Sequence, residues 1–257
     1  MLKRIAVFVY GVACYGVFFA TFLYTIGFVG NIAVPKSMDS PATTPFLYAI
    51  GIDLLLLAIF AVQHSLMARP WFKRAWTRIV PEPAERSTYV LFSSVALIAL
   101  FAFWQPLGGT VWNIENPAGR MLMYNLFGLG YALVLVSTFL INHFDLFGLR
   151  QVWLYLTGKP YTHLSFRTPL FYKYVRHPLY VGWLMSFWFT PTMTVTHLVF
   201  AVMCTTYILT AIRWEEKDLV VLHGSKYAHY RESVPTLMPS AKPYESPAPE
   251  YAVRRLA

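Results

Sequence analysis

Long uncharged stretches alternate with short polar loops along this chain, and their lengths predict helices that cross a membrane. The first stretch runs from Ile5 to Gly30, behind Lys3 and Arg4. Further stretches cover about 45–67, 87–104 and 116–141. Each is close to the about 20 apolar residues that a helix needs to span a bilayer. We therefore predict an all-α integral membrane protein, with four spanning helices in this part of the chain.

Helix boundaries and the last apolar region complete the predicted architecture. Thr44 and Asn116 each precede a proline, a pattern typical of an N-cap, for the second and fourth helices. The apolar region 179–212 is too long for one span and is interrupted at Pro191. Its first arm would rise only about 18 Å as a helix, whereas the hydrocarbon core is about 30 Å thick. We predict a C-terminal helical hairpin, which gives about five transmembrane segments.

Composition and charge agree with a membrane protein and suggest its orientation. The chain is 57% hydrophobic and 13% charged, about half the charged fraction of a soluble domain. Both cysteines, Cys14 and Cys204, lie in apolar segments, which excludes a disulfide framework. The net charge of +9 comes from loops beside the membrane segments, which argues against nucleic-acid binding. Because the loops 31–44 and 105–116 carry only Lys36 as a basic residue, the other loops are expected in the cytoplasm.

The chain is expected to form one membrane domain over 1–240, followed by a tail. Residues 241–257 are rich in proline and polar residues, and we predict a disordered cytoplasmic tail. No two histidines lie three or four positions apart, so a helical pair of metal ligands is absent and no metal is predicted.

Two polar stretches lie at the ends of the predicted hairpin. Arg176 and His177 precede its first arm, and Glu215 and Glu216 follow its second arm. Because a hairpin brings its ends together, we expect these residues to face each other at one membrane surface. A cationic end with free helix N–H groups, opposite paired carboxylates, suits a zwitterionic ligand.

These stretches carry a resemblance to a known family. Arg-His-Pro-x-Tyr-x-Gly over 176–182, followed by a short hairpin and Glu-Glu, resembles the C-terminal signature of membrane S-adenosylmethionine-dependent methyltransferases. That superfamily includes isoprenylcysteine carboxyl methyltransferases and phospholipid N-methyltransferases. The stretches 142–151 and 168–183, with His223-Gly224 before Tyr227 and Tyr230, are similar to the methanethiol S-methyltransferase family, which also contains NnrU-like proteins.

The resemblance implies S-adenosylmethionine (SAM) as methyl donor, methanethiol as acceptor and dimethyl sulfide as product. Arg176 and His177 would hold the carboxylate of the donor. Either Glu215 or Glu216 would bind the ammonium or the ribose hydroxyl groups of the donor, and Glu215 is favoured. The expected cofactor-binding residues are Tyr174, Arg176, His177, Tyr180, Gly182, Glu215, Glu216, Gly128 and Gly130.

Several of these residues also have a structural interpretation. Tyr174 and Tyr180 either face the sulfonium through cation–π contact or belong to an interfacial aromatic belt. Gly128 and Gly130 either leave room for the adenine or let two helices approach closely. Asp53 lies within a predicted span, so it must be paired or face a cavity.

The general base is left open by the sequence. His143, His163 and Asp145 are the catalytic candidates for deprotonating a thiol. Asn142, His143, Asp145 and Arg150 form either a substrate-side network or a loop clamp. His64 and His197 are expected to be hydrogen-bonded core residues.

Three alternative functions stay open at this stage. One is a methyltransferase of the same fold that acts on a lipid or a prenylated acceptor. Another is a non-catalytic NnrU-like membrane factor, and the third is a nicotinamide-dependent membrane reductase. The expected partners are a small thiol and membrane lipids, with no nucleic acid and no obligate protein partner. The expected location is a bacterial inner membrane with a cytoplasmic active site.

Overall fold

Helices form most of residues 1–246, the part of the chain that the computed structural model describes. In chain order the elements are α1 (Leu2–Gly30), α2 (Phe46–Ala68), α3 (Pro70–Trp76), α4 (Glu82–Phe103), β1 (Thr110–Asn113), α5 (Pro117–Ile141), α6 (His143–Leu146), α7 (Leu149–Leu156), a 3-10 turn (Leu170–Lys173), α8 (Pro178–Trp188), β2 (Thr192–Thr194), α9 (Val195–His223) and α10 (Ser225–Ser233). Five of these helices, α1, α2, α4, α5 and α9, are long and apolar enough to span a membrane. The prediction of an all-α integral membrane protein is therefore confirmed.

The predicted helix starts are correct in one case and wrong in another. The Asn116 side chain caps α5 by accepting hydrogen bonds from the N–H groups of Ala118 and Gly119. Thr44 does not cap α2, because its hydroxyl donates instead to Oε1 of Gln105 at 2.7 Å. α4 begins at Glu82, earlier than the predicted start near residue 87. Acidic residues in its first turn favour that start, since the N-terminal end of a helix attracts negative charge.

The hairpin forms, and its turn reaches the far face of the bundle, which is the face opposite the two ends of the hairpin. α8 has only 11 residues, as the break at Pro191 predicts, whereas α9 has 29. The chain continues past α8 in extended form, which rises about 3.3 Å per residue and makes up the missing length. β2 then pairs antiparallel with β1, which precedes α5. This two-stranded sheet, which the sequence analysis did not predict, fixes the turn of the hairpin beside the loop 105–116.

Asp39 ties the far-face loop 31–44 to the hairpin turn. Its carboxylate accepts hydrogen bonds from the Thr194 hydroxyl and, at 2.7 Å, from the Asn31 amide. His197 Nδ1 lies 3.6 Å from the same carboxylate, and its Nε2 lies 2.9 Å from the Phe187 carbonyl oxygen. Burial by itself raises the pKa of Asp39, but the nearby His197 ring and the hydrogen bonds from Thr194 and Asn31 outweigh it and lower the pKa. An ionised Asp39 therefore joins the loop 31–44 to the start of α9, and His197 joins that start to the end of α8.

Asp53 has a structural partner, in agreement with the expectation that a carboxyl within a span is paired. It is fully buried in α2, and its Oδ1 accepts the backbone N–H of Gln105 at 2.8 Å. The residue thereby anchors the start of the loop that carries β1.

Two glycines bring α5 and α8 into close contact. A Cβ atom at Gly130 would lie 2.7 Å from the carbonyl oxygen of Gly182, and one at Gly182 would lie 2.6 Å from that of Gly130. This contact leaves no space for a ligand beside either glycine, so their role is helix packing. Gly128 points to open space on the other side of α5. The contact therefore favours the packing interpretation at Gly130, while room for the adenine at Gly128 stays a prediction.

The first residues of the predicted tail lie against the domain. Tyr244 is buried, its backbone N–H donates to the Lys173 carbonyl at 2.8 Å, and its ring packs on Tyr230. The rest of the predicted tail, 247–257, lies outside the described residues.

The glycine contact generates a stability prediction. Gly182→Ala forces α5 and α8 apart, and overpacking of this kind costs about 1–3 kcal/mol. We expect a clearly lower melting temperature in detergent. Gly128→Ala is the matched control, because its added methyl group meets nothing within 4 Å and alanine favours helices. Equal melting temperatures for the two variants would contradict the packing role.

The orientation of the bundle can be tested by cysteine labelling. Ala42 and Lys242 are both exposed and lie on opposite sides of the predicted topology. In a variant lacking Cys14 and Cys204, a membrane-impermeant maleimide should label Ala42→Cys in intact cells. Lys242→Cys should react only after the cells are opened. Labelling of Lys242→Cys but not of Ala42→Cys in intact cells would mean that the orientation is the reverse of the predicted one.

Candidate functional site

The two ends of the hairpin meet where α8 begins, as the sequence predicts. Arg176 Nε lies 2.8 Å from Oε1 of Glu216, and His177 Nε2 lies 3.0 Å from the same oxygen. In the first turn of α8, the Tyr180 hydroxyl donates to Oε2 of Glu215 at 2.8 Å. The predicted juxtaposition is therefore confirmed, and the contacts of each residue distinguish its role.

Arg176 acts as a clamp on the C-terminal segment. Its terminal nitrogens donate to the carbonyl oxygens of Arg231 and Val234 and to the Thr236 hydroxyl, at 2.5–2.6 Å. Together with the bond to Glu216, four of its five N–H donors are used within the protein. The side chain is only 11% exposed. Arg176 is thus not free to hold a ligand carboxylate, which differs from the expectation drawn from the resemblance.

Glu215 and Glu216 point in different directions, since adjacent helical residues are about 100° apart. The Glu216 side chain is 13% exposed, and both Arg176 and His177 contact its carboxylate. The Glu215 side chain is 44% exposed, and His177 Nδ1 lies 4.0 Å from its Oε2. Glu215 is therefore the carboxylate that remains open to a ligand, whereas Glu216 positions His177.

The N-terminal end of α8 supplies groups of opposite polarity beside Glu215. His177 occupies the N-cap position, and no side chain caps the first turn. The N–H groups of Leu179 and Tyr180 in that turn are suited to an anion. Burial, and then the charge of Glu215, raise the pKa of the neighbouring Tyr172, so its phenol stays neutral. This arrangement can bind a ligand that carries both an ammonium and a carboxylate group.

Tyr174 has a structural contact outside this group. The residue is 38% exposed, and its carbonyl oxygen accepts the N–H of Ser240 at 2.9 Å. In the described residues its ring makes no hydrogen bond to the hairpin ends, and its cation–π contact with the sulfonium stays a prediction.

His143 lies in an aromatic cluster with both of its ring nitrogens occupied. Nδ1 lies 2.8 Å from the Thr138 hydroxyl and Nε2 lies 2.8 Å from the Tyr15 hydroxyl, while the ring stacks on Phe139. The Thr138 hydroxyl donates to the Leu135 carbonyl at 2.6 Å, so it accepts the proton of Nδ1. Burial lowers the pKa of His143, which keeps the ring neutral.

Asp145 and Arg150 clamp the loop that follows α7. Arg150 donates to Asp145 Oδ1 at 2.8 Å and to the Thr162 carbonyl at 2.9 Å, and the Tyr161 hydroxyl lies 3.4 Å from Asp145 Oδ2. His163 is exposed, with its ring against Tyr161. This network matches the loop-clamp interpretation. In residues 1–246 no hydrogen bond links these residues to Glu215, and no group of three potential ligands could hold a metal ion.

His64 is a hydrogen-bonded residue between two helices, as the sequence analysis expects. It lies in α2 and contacts two residues of α4: Nδ1 lies 3.1 Å from the Ser93 hydroxyl, and Nε2 lies 2.9 Å from the Tyr89 hydroxyl.

Comparison with known proteins gives full-length relatives. The chain is 60% identical over 238 residues to a methanethiol S-methyltransferase of Crocosphaera subtropica, covering 93% of both chains. It is 50% identical over 238 residues to a methanethiol S-methyltransferase of Mycobacterium tuberculosis, covering 93% of this chain and 98% of the relative. Nurim of Xenopus laevis is more distant, at 31% identity over 206 residues, 77% of this chain and 72% of Nurim. No family model and no solved structure matches significantly.

The Arg176 clamp predicts the behaviour of the C-terminal segment. Arg176→Gln removes charge-assisted hydrogen bonds, each of which contributes about 1.5–3 kcal/mol. Amide hydrogens in 231–236 should therefore exchange at least about tenfold faster, since about 1.4 kcal/mol corresponds to tenfold. Hydrogen–deuterium exchange measures this directly. Arg213→Gln, at an exposed position of α9, is the control and should leave the segment protected. Equal protection of 231–236 in both variants would contradict the clamping role of Arg176.

Proposed function

The chain belongs to the methanethiol S-methyltransferase family, and on this basis we propose that it transfers a methyl group from SAM to methanethiol. The products are dimethyl sulfide and S-adenosylhomocysteine (SAH). The observation that carries the proposal is the 60% identity along 93% of both chains to a relative of that name. The site at the hairpin ends supplies the groups that such a donor needs.

The methionine end of SAM carries an ammonium and a carboxylate group. Glu215 would bind the ammonium, because its carboxylate is the half-exposed one at the site. The first N–H groups of α8, at Leu179 and Tyr180, would bind the carboxylate, aided by the positive end of the helix dipole. His177 lies between them, with its orientation fixed by Glu216. Arg176 supports the site through Glu216 rather than by touching the donor.

The reaction is an in-line displacement. A lone pair of the acceptor sulfur forms the new bond to the methyl carbon, while the bond between that carbon and the sulfonium sulfur breaks and its electron pair stays with SAH. The cation disappears along this path, so a site of low polarity favours the transition state. The Tyr180 ring would stabilise the sulfonium before transfer through cation–π contact. Correct positioning of the two sulfurs supplies much of the remaining rate.

The location of the site supports a cytoplasmic reaction. From the helical rise, Glu215 lies about 30 Å along α9 from the first residue of that helix, which is at the far face. The basic residues of 213–231 lie near Glu215 in the sequence. By the positive-inside rule this end faces the cytoplasm. Methanethiol is small and apolar, so it can reach the site through the membrane.

The two glutamates should respond differently to substitution. Glu215→Gln loses a charge-assisted contact to the ammonium, about 1.5–3 kcal/mol, and should bind SAH about ten- to a hundredfold more weakly with an unchanged melting temperature. Glu216→Gln leaves Arg176 without its carboxylate in a largely buried place. Removing one partner of such a pair costs about 3–5 kcal/mol, so its melting temperature should fall. Calorimetric titration and thermal unfolding in detergent measure both quantities.

The reaction itself is tested in cells that express the protein and receive methanethiol. Headspace gas chromatography should detect dimethyl sulfide well above the vector-only level, and Glu215→Gln should reduce it. If the purified protein binds SAH while dimethyl sulfide stays at background, the acceptor is wrong and a lipid or prenylated acceptor takes its place. If the purified protein does not bind SAH, the proposal that SAM is the methyl donor is wrong.

A further inference from the structure

Residues 160–168, which we call the strap, connect α7 to the 3-10 turn without forming a helix or a strand. Among the described residues, no backbone group of the strap hydrogen-bonds to another backbone group. Most of its residues are exposed. A segment with so few backbone contacts opens at a small cost in free energy. The strap is therefore held in place by a few side chains, and these lie at two anchors.

The first anchor fixes the start of the strap to α7. Arg150 of α7 donates to the carbonyl oxygen of Thr162 at 2.9 Å and to its hydroxyl at 3.0 Å. The same guanidinium lies 5.2 Å from the centre of the Tyr161 ring. Because α7 packs against α1 and α4, this anchor belongs to that side of the bundle.

The second anchor is the ring of Phe166, which packs on the end of α9 and on α10. Its centre lies 5.4 Å from that of His223, 5.7 Å from that of Tyr227 and 5.3 Å from that of Tyr230. Phe166 and Thr162 are four positions apart, and an extended chain spans at most about 3.6 Å per residue, so about 14 Å here. The strap therefore runs directly from the side formed by α1, α4 and α7 to the side formed by α9 and α10.

This path lies on the cytoplasmic side of the hairpin ends. From the helical rise, His223 lies about 12 Å beyond Glu215 along α9, away from the membrane. After Phe166 the chain leads to Tyr172, which is buried and whose carbonyl oxygen accepts the Tyr230 hydroxyl at 2.6 Å. The end of the strap is thus fixed beside the start of the hairpin and above Glu215.

We propose that the strap is a lid over the methyl donor and that Phe166 is its latch, an inference that rests on the proposed function. SAM and SAH carry charged groups, which are strongly disfavoured in hydrocarbon, so they exchange with the cytoplasm on the side that the strap crosses. Opening separates Phe166 from its three aromatic neighbours, while Arg150 keeps Thr162 in place. Closing excludes water during the displacement, as mobile loops do in other enzymes. Methanethiol arrives through the membrane and does not pass the strap.

The test with the most direct result holds the strap closed by a covalent link. In a protein lacking Cys14 and Cys204, Phe166→Cys and Tyr227→Cys are joined by a short bismaleimide. Linking before SAH is added should prevent binding, and linking afterwards should slow SAH dissociation at least about tenfold. The double variant without the reagent must bind SAH, and the Phe166→Cys single variant with the reagent is the control for the modification. Equal binding and dissociation with and without the link would overturn the lid.

A second measurement removes the latch instead. Phe166→Ala loses its ring contacts, so SAH should dissociate about tenfold faster, the change expected from one or two aromatic pairs. Ser165→Ala, at an exposed position of the strap, is the matched control and should leave the rate unchanged. Trypsin cleavage after the exposed Arg167 reports on the strap itself. SAH should slow this cleavage in the unaltered protein and far less in Phe166→Ala.

The outcomes separate the lid from the proposed function. If the unaltered protein does not bind SAH, the proposed function and the lid both fail. If it binds SAH, but neither the link nor Phe166→Ala changes the exchange of SAH, only the lid is wrong. Cleavage after Arg167 at one rate with and without SAH would likewise contradict a strap that closes over the donor.

Discussion

The buried ion pair between Arg176 and Glu216 is the interaction on which the rest of the site depends. Charges at membrane depth are costly unless they are paired and hydrogen-bonded, and this pair meets that requirement by using nearly all of its donors and acceptors inside the protein. It closes the ends of the hairpin, holds the segment 231–236 and orients His177. Because the carboxylate of Glu216 is occupied by these contacts, the neighbouring Glu215 is the carboxylate that stays accessible. The motif that the family resemblance associates with the donor thus divides into one supporting pair and one exposed carboxylate.

The position of the pair follows from packing at two distant places. Gly130 and Gly182 let α5 and α8 touch through their backbones, which fixes the first turns of α8. At the far face, β1 and β2 pair and Asp39 joins the loop 31–44 to the start of α9. α8 is therefore held along its length, while its N-terminal end remains without a side-chain cap. A helix start fixed in this manner offers oriented N–H groups without further rearrangement, which is the property that an anion site requires.

Much of the fold could be predicted because span length and apolar content are local properties of a sequence. The break at Pro191 and the Asn116 cap are also local, and so the hairpin and the meeting of Arg176 with the glutamates were predicted. The roles within the site were not, because the partners of Arg176 are carbonyl oxygens 55 or more residues away. No pattern marks the β1–β2 pairing, or the contact of Gly130 with Gly182 rather than with a ligand. His64 was correctly expected to be hydrogen-bonded, but its partners, Tyr89 and Ser93, could not be named because they depend on how α2 and α4 pack.

The proposed thiol methylation sets a further requirement on the apolar surroundings of the site. Forming a free thiolate first would place an anion in surroundings of low polarity, where an unpaired charge is strongly disfavoured. Losing the thiol proton as the carbon–sulfur bond forms avoids that state, because the sulfonium loses its charge in the same event. The same rule governs the hairpin ends, where Glu216 is buried only because Arg176 and His177 contact its carboxylate. A reaction that removes charge as it proceeds therefore suits a site built at the edge of an apolar bundle.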